Sequence, residues 1–435
     1  MKLVHQDKMV PRYSNSLHQL PVRRHRPDYQ IVLFMGLLML FGLIIIYAIG
    51  PQRANVLNNA HGTDYYADQY FFIKQIISLV LALIAFGITA IIPCDWIKKY
   101  ASKVLMIGFG ACLVLAIAGW LEWGIAQCSL GACRWFNLGS FTLQPSEILK
   151  FGMLVFVAGF LGIRASENKI NNWRETLIPL GVLTAVVLLF IVVIQKDLGT
   201  GVTLGAIIAS MLIIAGLNKR KGSILLALAL VIGLSFIFSA GHRVARITTF
   251  LQGDDTSLND SNNYHIEHAK IAIGSGGLVG VGIGNSVQAT GYLPEAINDS
   301  VFAIIGETFG FIGLMVILFL FTVLLLRLLK VMDHLVDVKF KLLVAGAFGW
   351  LASHVILNIA AMIGVLPLTG ITLPLLSFGG TSMIFIAAVL GLVFQLSRYT
   401  THVSRLKESS LDENPSGRRR VGRTRYASCR STERN

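Results

Sequence analysis

The chain alternates long apolar runs with short polar ones. Ten runs of roughly the length a hydrocarbon layer demands stand at 31–50, 71–93, 104–120, 147–163, 177–194, 199–216, 223–240, 301–326, 342–365 and 379–396. Each predicts a membrane-spanning helix, because a helix satisfies its own backbone where no water can. The expected fold is therefore an all-α polytopic membrane protein of about ten spans. A polar segment 1–30 precedes the spanning domain 31–398, and a polar tail 399–435 follows it. The longest connection, 241–300, lies between the seventh and eighth spans. Connections of that length are usually functional.

Composition sharpens this reading. Of the 435 residues 54% are hydrophobic and 14% charged, with a mean hydropathy of +0.67. Counting Lys and Arg on alternate sides of the spans gives 29 against 6, and the basic side is cytoplasmic. Both termini fall on that side, and the long 241–300 connection falls outside. The net charge of +14 is mainly a topology signal, so a nucleic-acid partner is not expected. The first span starts near residue 31 and has no small-residue cleavage site soon after it, which predicts a signal anchor and not a cleaved leader. The basic tail, with RRRVGRTRYASCR near its end, is expected to be disordered and to meet anionic lipid.

The outside connections carry the chemistry. Pro145 suits a first helical turn, which places Glu147 and Lys150 three apart on one face of the fourth span. Charges at that depth are costly unless paired or facing a water-filled cavity, so the two are expected to pair, either as a structural salt bridge or as the lining of a polar cavity. Asp197 opens the sixth span after a very short turn that also holds Gln195 and Lys196. Cys128 and Cys133 form either a small disulfide loop or two free thiols. Arg243 and Arg246 suit phosphate or carboxylate. His265 and His268, with Glu267, fit a solvated helix face better than a metal site.

Residues 274–310 hold the densest cluster of signals. Six glycines, at 274, 276, 277, 280, 282 and 284, permit close backbone approach. Glu295 and Asp299 follow at the entry to the eighth span, where Asp299 either caps the helix or does chemistry. Glu307 lies about two turns below it. In the ninth span His354 and Asn358 share one face. The small residues Ala345, Gly346, Ala347 and Gly349 of the same span would suit docking of a partner helix. The last outside turn, VLPLTGITLPLLSFGGTS, breaks the helix at membrane depth with two prolines and three glycines. Such backbone needs protein or a water-filled cavity around it, which makes it a second wall of one site.

These blocks in this order, RWFNLGSFTLQPSEILK, DLGTG, the Arg243 and Arg246 pair, AIGSGGLVGVGIGNSVQ, YLPEAINDSVFAIIGE and LPLTGITLPLLSFGG, resemble the SEDS family of bacterial peptidoglycan glycosyltransferases. GIGNSVQ followed by YLPEA is more similar to its division branch, FtsW, than to its elongation branch. The resemblance implies polymerisation of lipid II into glycan strands at the outer face of the cytoplasmic membrane, at the division septum. It makes Asp299 catalytic and assigns Gln144, Glu147, Lys150, Asp197, Arg243, Arg246 and Glu295 to the substrate. It also implies a divalent cation, Mg or Mn, whose ligands the sequence does not reveal, no organic cofactor, and as partners a class B penicillin-binding protein like FtsI and other divisome proteins. Ile297 and Asn298 stand where the family usually has His-Thr. Two rival readings are a lipid II flippase and a non-enzymatic division scaffold that recruits a transpeptidase. A flippase should carry charge along a path through both leaflets, whereas here the acidic groups gather at the outer face.

Overall fold

The structure is a computed structural model and describes residues 26–129, 132–137, 139, 142–238 and 261–400. Arg243, Arg246 and nearly all of both polar ends, including the tail expected to be disordered, lie outside the described residues. The helices are α1 (Tyr29–His61), α2 (Tyr70–Ile91), α3 (Cys94–Trp120), α4 (Pro145–Ser166), α5 (Ile178–Leu188), α6 (Leu198–Ile214), α7 (Lys219–Phe238), α8 (Ser261–Ser275), α9 (Val301–His334), α10 (Val338–Met362) and α11 (Gly380–Leu396). Single π-helical stretches, Trp173–Leu177 and Leu189–Ile194, extend α5 at both ends. Eight helical segments are long and apolar enough to cross a membrane, and α6 and α7 occupy the other two expected spans.

The structure departs from the expected architecture in three places. The outside connection after α3 is not irregular but a three-stranded antiparallel sheet, β1 (Ala126–Ser129), β2 (Ala132–Asn137) and β3 (Thr142–Leu143), so the chain is not wholly α-helical. Its strands are too short for an alternating pattern to stand out, and Trp135 and Phe136 favour the pleated surface. Cys128 faces Cys133 across the hairpin, and the two are joined as a disulfide. Next, α1 continues through Pro51 to His61, where a loop was expected from residue 51, and Gln52 reaches the carbonyl of Gly284 at 3.1 Å.

The third departure is the small-residue stripe of α10. Ala345, Gly346, Ala347 and Gly349 are buried inside the bundle and do not face lipid. A β-carbon at Gly346 would collide with Met211 and Leu154, and one at Gly349 would meet Ser210 and the carbonyl of Ala206. The stripe lets α10 approach α4 and α6 closely, as small residues do at helix contacts in membranes. It is therefore not the docking surface for a partner helix.

The glycine run is explained by α9, which breaks at Gly310 (φ 66°, ψ −164°). The break frees backbone groups about two to three turns below the outer end of the helix. Residues 276–282 fold down beside it and take them up: Phe311 and Ile312 donate to the carbonyls of Gly277 and Leu278 (2.9 and 3.2 Å), and Val281 and Gly282 donate to those of Glu307 and Thr308 (2.9 and 3.1 Å). Side chains at Gly276, Gly280 and Gly310 would collide with the facing backbone. Backbone packing at this depth accounts for these glycines.

Gly310→Ala should strain the positive φ and push the re-entrant loop off α9, lowering stability by about 2 kcal/mol or more. Gly205→Ala, where a β-carbon meets nothing within 4 Å, should leave it within about 1 kcal/mol of the parent or raise it. Thermal unfolding of the purified proteins in detergent, followed by gel filtration, measures both.

Candidate active site

The ion pair anticipated from the i,i+3 spacing is present. Lys150 Nζ lies 2.8 Å from Glu147 Oε1, and both side chains are buried, at 0% and 4% exposure. Two residues of α10 complete the surroundings of the ammonium: Nε2 of His354 at 3.4 Å and the ring of Trp350 at 4.8 Å from its centroid. An ammonium can only donate, so Nε2 accepts and the His354 proton sits on Nδ1. That proton points at the carbonyl of Thr372, 3.3 Å away, in the segment 363–379 that breaks the helical bundle.

One turn further along α10, Asn358 repeats the gesture. Its amide nitrogen donates to the carbonyl of Ile371 at 2.7 Å and to the carbonyl of Asp299 at 2.6 Å. Two side chains on one face of one helix thus hold the consecutive carbonyls of Ile371 and Thr372, and Asn358 ties that segment to the candidate catalytic aspartate. The spacing of His354 and Asn358 was visible in the sequence. Their backbone partners, 13 and 18 residues away, were not.

Asp299 occupies the turn just before α9 and is half-buried, with Oδ1 shielded from solvent. It is not the helix cap, which is Ser300. Several contacts fix this turn. Ser300 Oγ donates to the carbonyl of Pro294 (2.9 Å) and lies 2.6 Å from His265 Nε2, and Phe378 N donates to the carbonyl of Ile297 (2.8 Å). Ile297, one of the departures from the usual pattern, is buried and anchors the turn by packing. His265 and His268 are accordingly not on a solvated face: both are half-buried, and His268 Nδ1 meets Gln288 Oε1 at 2.7 Å. Glu307 is a structural group. It accepts from Ser286 Oγ and from the backbone of Val287 (2.9 Å) and Gln288 (3.2 Å), closing the loop onto α9.

Asp197 caps α6, its Oδ1 accepting from Thr200 N at 2.9 Å and its Oδ2 from Thr200 Oγ1 at 2.7 Å, and Gln144 Nε2 donates to the same Oδ2 at 3.3 Å. These two predicted residues therefore meet. A residue that sequence reasoning passed over holds their turn in place: Arg134 of β2 donates to the carbonyls of Gln195 (3.1 Å) and Lys196 (2.8 Å), and Lys196 has a positive φ of 51°. Its only signal was a lone basic residue in an outside connection of otherwise low charge. Glu295 stands apart. It is half exposed, 3.7 Å from Arg53 of α1, and bonded to Asn298.

The arrangement suits a polar ligand. Ser146 Oγ, Glu147 Oε2 and Asn358 Oδ1 are buried without a hydrogen-bond partner among the described residues. Such atoms in a membrane bundle are costly unless water or substrate meets them. A divalent cation fits less well. Among the described residues no three His, Cys, Asp or Glu side chains converge as a ligand set, and Glu147, Asp197 and Glu307 are already engaged.

Lys150→Met strands a buried carboxylate and should cost about 3–5 kcal/mol, while the double variant Glu147→Gln with Lys150→Met should recover most of it. Thermal unfolding of both variants reads the difference. Asn358→Leu should cost about 1–3 kcal/mol through its unsatisfied carbonyls and should shorten the lifetime of amide protection in 294–300 by hydrogen exchange.

Comparison with known proteins places this geometry. The profile of the FtsW, RodA and SpoVE family, described as cell cycle protein, matches residues 29–402. Stage V sporulation protein E of Bacillus subtilis (strain 168) is 32% identical over 385 residues, covering 88% of this chain and 100% of the relative. A "Probable peptidoglycan glycosyltransferase FtsW" of Taylorella equigenitalis (strain MCE9) is 31% identical over 366 residues, covering 83% of this chain and 94% of the relative. A solved structure described as "Structural coordination of polymerization and crosslinking by a peptidoglycan synthase complex" superposes with a TM-score of 0.65 at 24% identity, covering 86% of this chain and 98% of that one. The rod shape determining protein RodA of Thermus thermophilus gives 0.57 at 23% identity, with coverages of 86% and 98%. The structural likeness carries the fold, and the sequence match over nearly the whole described bundle carries the kinship: this multi-pass membrane protein belongs to the FtsW, RodA and SpoVE family of cell cycle proteins.

Proposed function

We propose that this protein is a peptidoglycan glycosyltransferase that polymerises lipid II at the outer face of the cytoplasmic membrane during division. The observation that carries the reading is the tie from Asn358 to the backbone carbonyl of Asp299, which fixes the turn bearing this half-buried aspartate to the face of α10 whose His354 meets the buried Lys150. The names of relatives such as the Taylorella protein support the reaction class.

In the reaction, the 4-hydroxyl of an incoming lipid II attacks the anomeric carbon of the growing glycan. The new glycosidic C–O bond forms as the bond to the lipid pyrophosphate breaks, and the hydroxyl proton must leave. Asp299 takes that proton as general base, a role that contributes about 10² to 10⁴-fold. Negative charge develops on the departing pyrophosphate. Lys150, held by Glu147 and His354, is a preorganised cation for it, and Arg243 and Arg246 are the nearest candidates in sequence to join it. Family kinship makes a divalent cation a reasonable helper, but the described carboxylates form no site for one, and the proton path above does not need it. The charged members of the cluster lie toward the outer ends of α4 and α6, which favours chemistry at that face over passage through the bilayer.

The name of the superposed complex couples polymerisation to crosslinking, and a class B penicillin-binding protein like FtsI at the septum is the proposed partner. Asp299→Asn should lower polymerisation of labelled lipid II by the purified protein, assayed with and without that partner, by about 10²-fold or more at unchanged melting temperature. Glycan synthesis near the parent rate would remove Asp299 from the mechanism.

A further inference from the structure

On the cytoplasmic side, far along the bundle from the cluster around Lys150, α3, α4, α10 and α11 surround a cleft of about 280 Å³. Two glycines explain why it is there. Deeper in the bundle α3 and α4 touch backbone to backbone, since a β-carbon at Gly108 would lie 2.8 Å from Leu149 Cα, and one at Gly152 the same distance from Leu105 Cα. Past that contact the two helices leave a gap lined by Ala101 and Ser102 on one side and Val155, Phe156 and Gly159 on the other. A β-carbon at Gly159 would meet nothing within 4 Å, so the missing side chain leaves the cleft open.

The cleft is apolar except at Ser102 and Lys339, the second residue of α10. The stem of Lys339 crosses Gly162, where a β-carbon would collide with its Cγ. Two cations on this side are paired, Arg164 with Glu167 at 3.0 Å and Lys169 with Glu175 at 2.7 Å. Among the described residues no acidic side chain pairs with Lys339, and the Asp337 carboxylate is taken by the backbone of Lys339 at 2.9 Å. A half-buried cation with an apolar stem, a hydroxyl, and an apolar slot beneath them is amphipathic in the sense of a lipid: chain below, phosphate above.

We propose that this cleft binds one anionic phospholipid of the cytoplasmic leaflet, with an acyl chain over Gly159 and its phosphate against Lys339 and the Ser102 hydroxyl. The unpaired cation argues for phosphatidylglycerol over phosphatidylethanolamine, whose own ammonium already compensates its phosphate.

Native mass spectrometry of the purified full chain, titrated in neutral detergent with phosphatidylglycerol or phosphatidylethanolamine, tests this. The parent should retain one phosphatidylglycerol, preferred about fivefold, the selectivity one lysine confers near a membrane surface. Gly159→Leu fills the slot and should abolish retention of either lipid. Lys339→Gln, at the aqueous end and remote from the packed core, should keep a lipid but lose the preference. Equal retention of the two lipids by the parent, or undiminished phosphatidylglycerol on Gly159→Leu eluting as a monodisperse species, would overturn the assignment.

Discussion

Backbone that leaves the helix inside a membrane must find its hydrogen bonds in protein, and this structure depends on how α10 meets that demand. His354 and Asn358 present two polar side chains on one face of a helix that is otherwise almost wholly apolar there, and the non-helical segment 363–379 hangs its carbonyls on them. Because Asn358 also holds Asp299, the broken segment and the turn before α9 share one support. Because His354 also meets Lys150, the buried ion pair of α4 is drawn into the same assembly. Three chain segments are thereby fixed to a single helical stripe, and the reactive geometry inherits its rigidity.

Electrostatics sets the second constraint. A lysine with no exposed surface is tolerable because its three donors and its charge are met from three directions: a carboxylate one turn away, an imidazole nitrogen, and the face of an indole. These contacts hold the ammonium at one place in the bundle, with Glu147 Oε2 and Ser146 Oγ beside it still able to accept or donate. A site that must meet a pyrophosphate gains from holding that charge before the substrate arrives, since no reorganisation is then needed during the reaction.

Much of this was legible in the sequence, for reasons that differ from residue to residue. The spans follow from length and hydropathy alone, and the Glu147 and Lys150 pair from helical spacing, because both signals are local. The role of Asn358, though not its position, and Arg134 altogether escaped because each acts on carbonyls, which every residue carries and no sequence pattern marks. The stripe of Ala345 to Gly349 was visible but ambiguous: small residues mark close approach of helices without saying whose, and here the partners are α4 and α6 of the same chain. The glycines of 276–284 likewise signalled close approach, and what they approach is the broken turn of α9. Ile297, a departure from the expected pattern, is explained by burial.

The meeting of that loop with the broken turn of α9 constrains how the protein can be made. The four hydrogen bonds between residues 277–282 and 307–312 are mutual: each side supplies two donors and two acceptors, and the break at Gly310 is what makes α9 need them. If α9 entered the bilayer first, unpaired peptide groups would face hydrocarbon, while a loop arriving alone would bring an uncovered strand of backbone with it. The two must therefore enter as one hairpin-like unit, or α9 must first cross as an unbroken helix and be prised open as the loop docks. In either route the loop and the outer part of α9 reach their final form together, and glycine at these positions is what lets the two backbones close on each other.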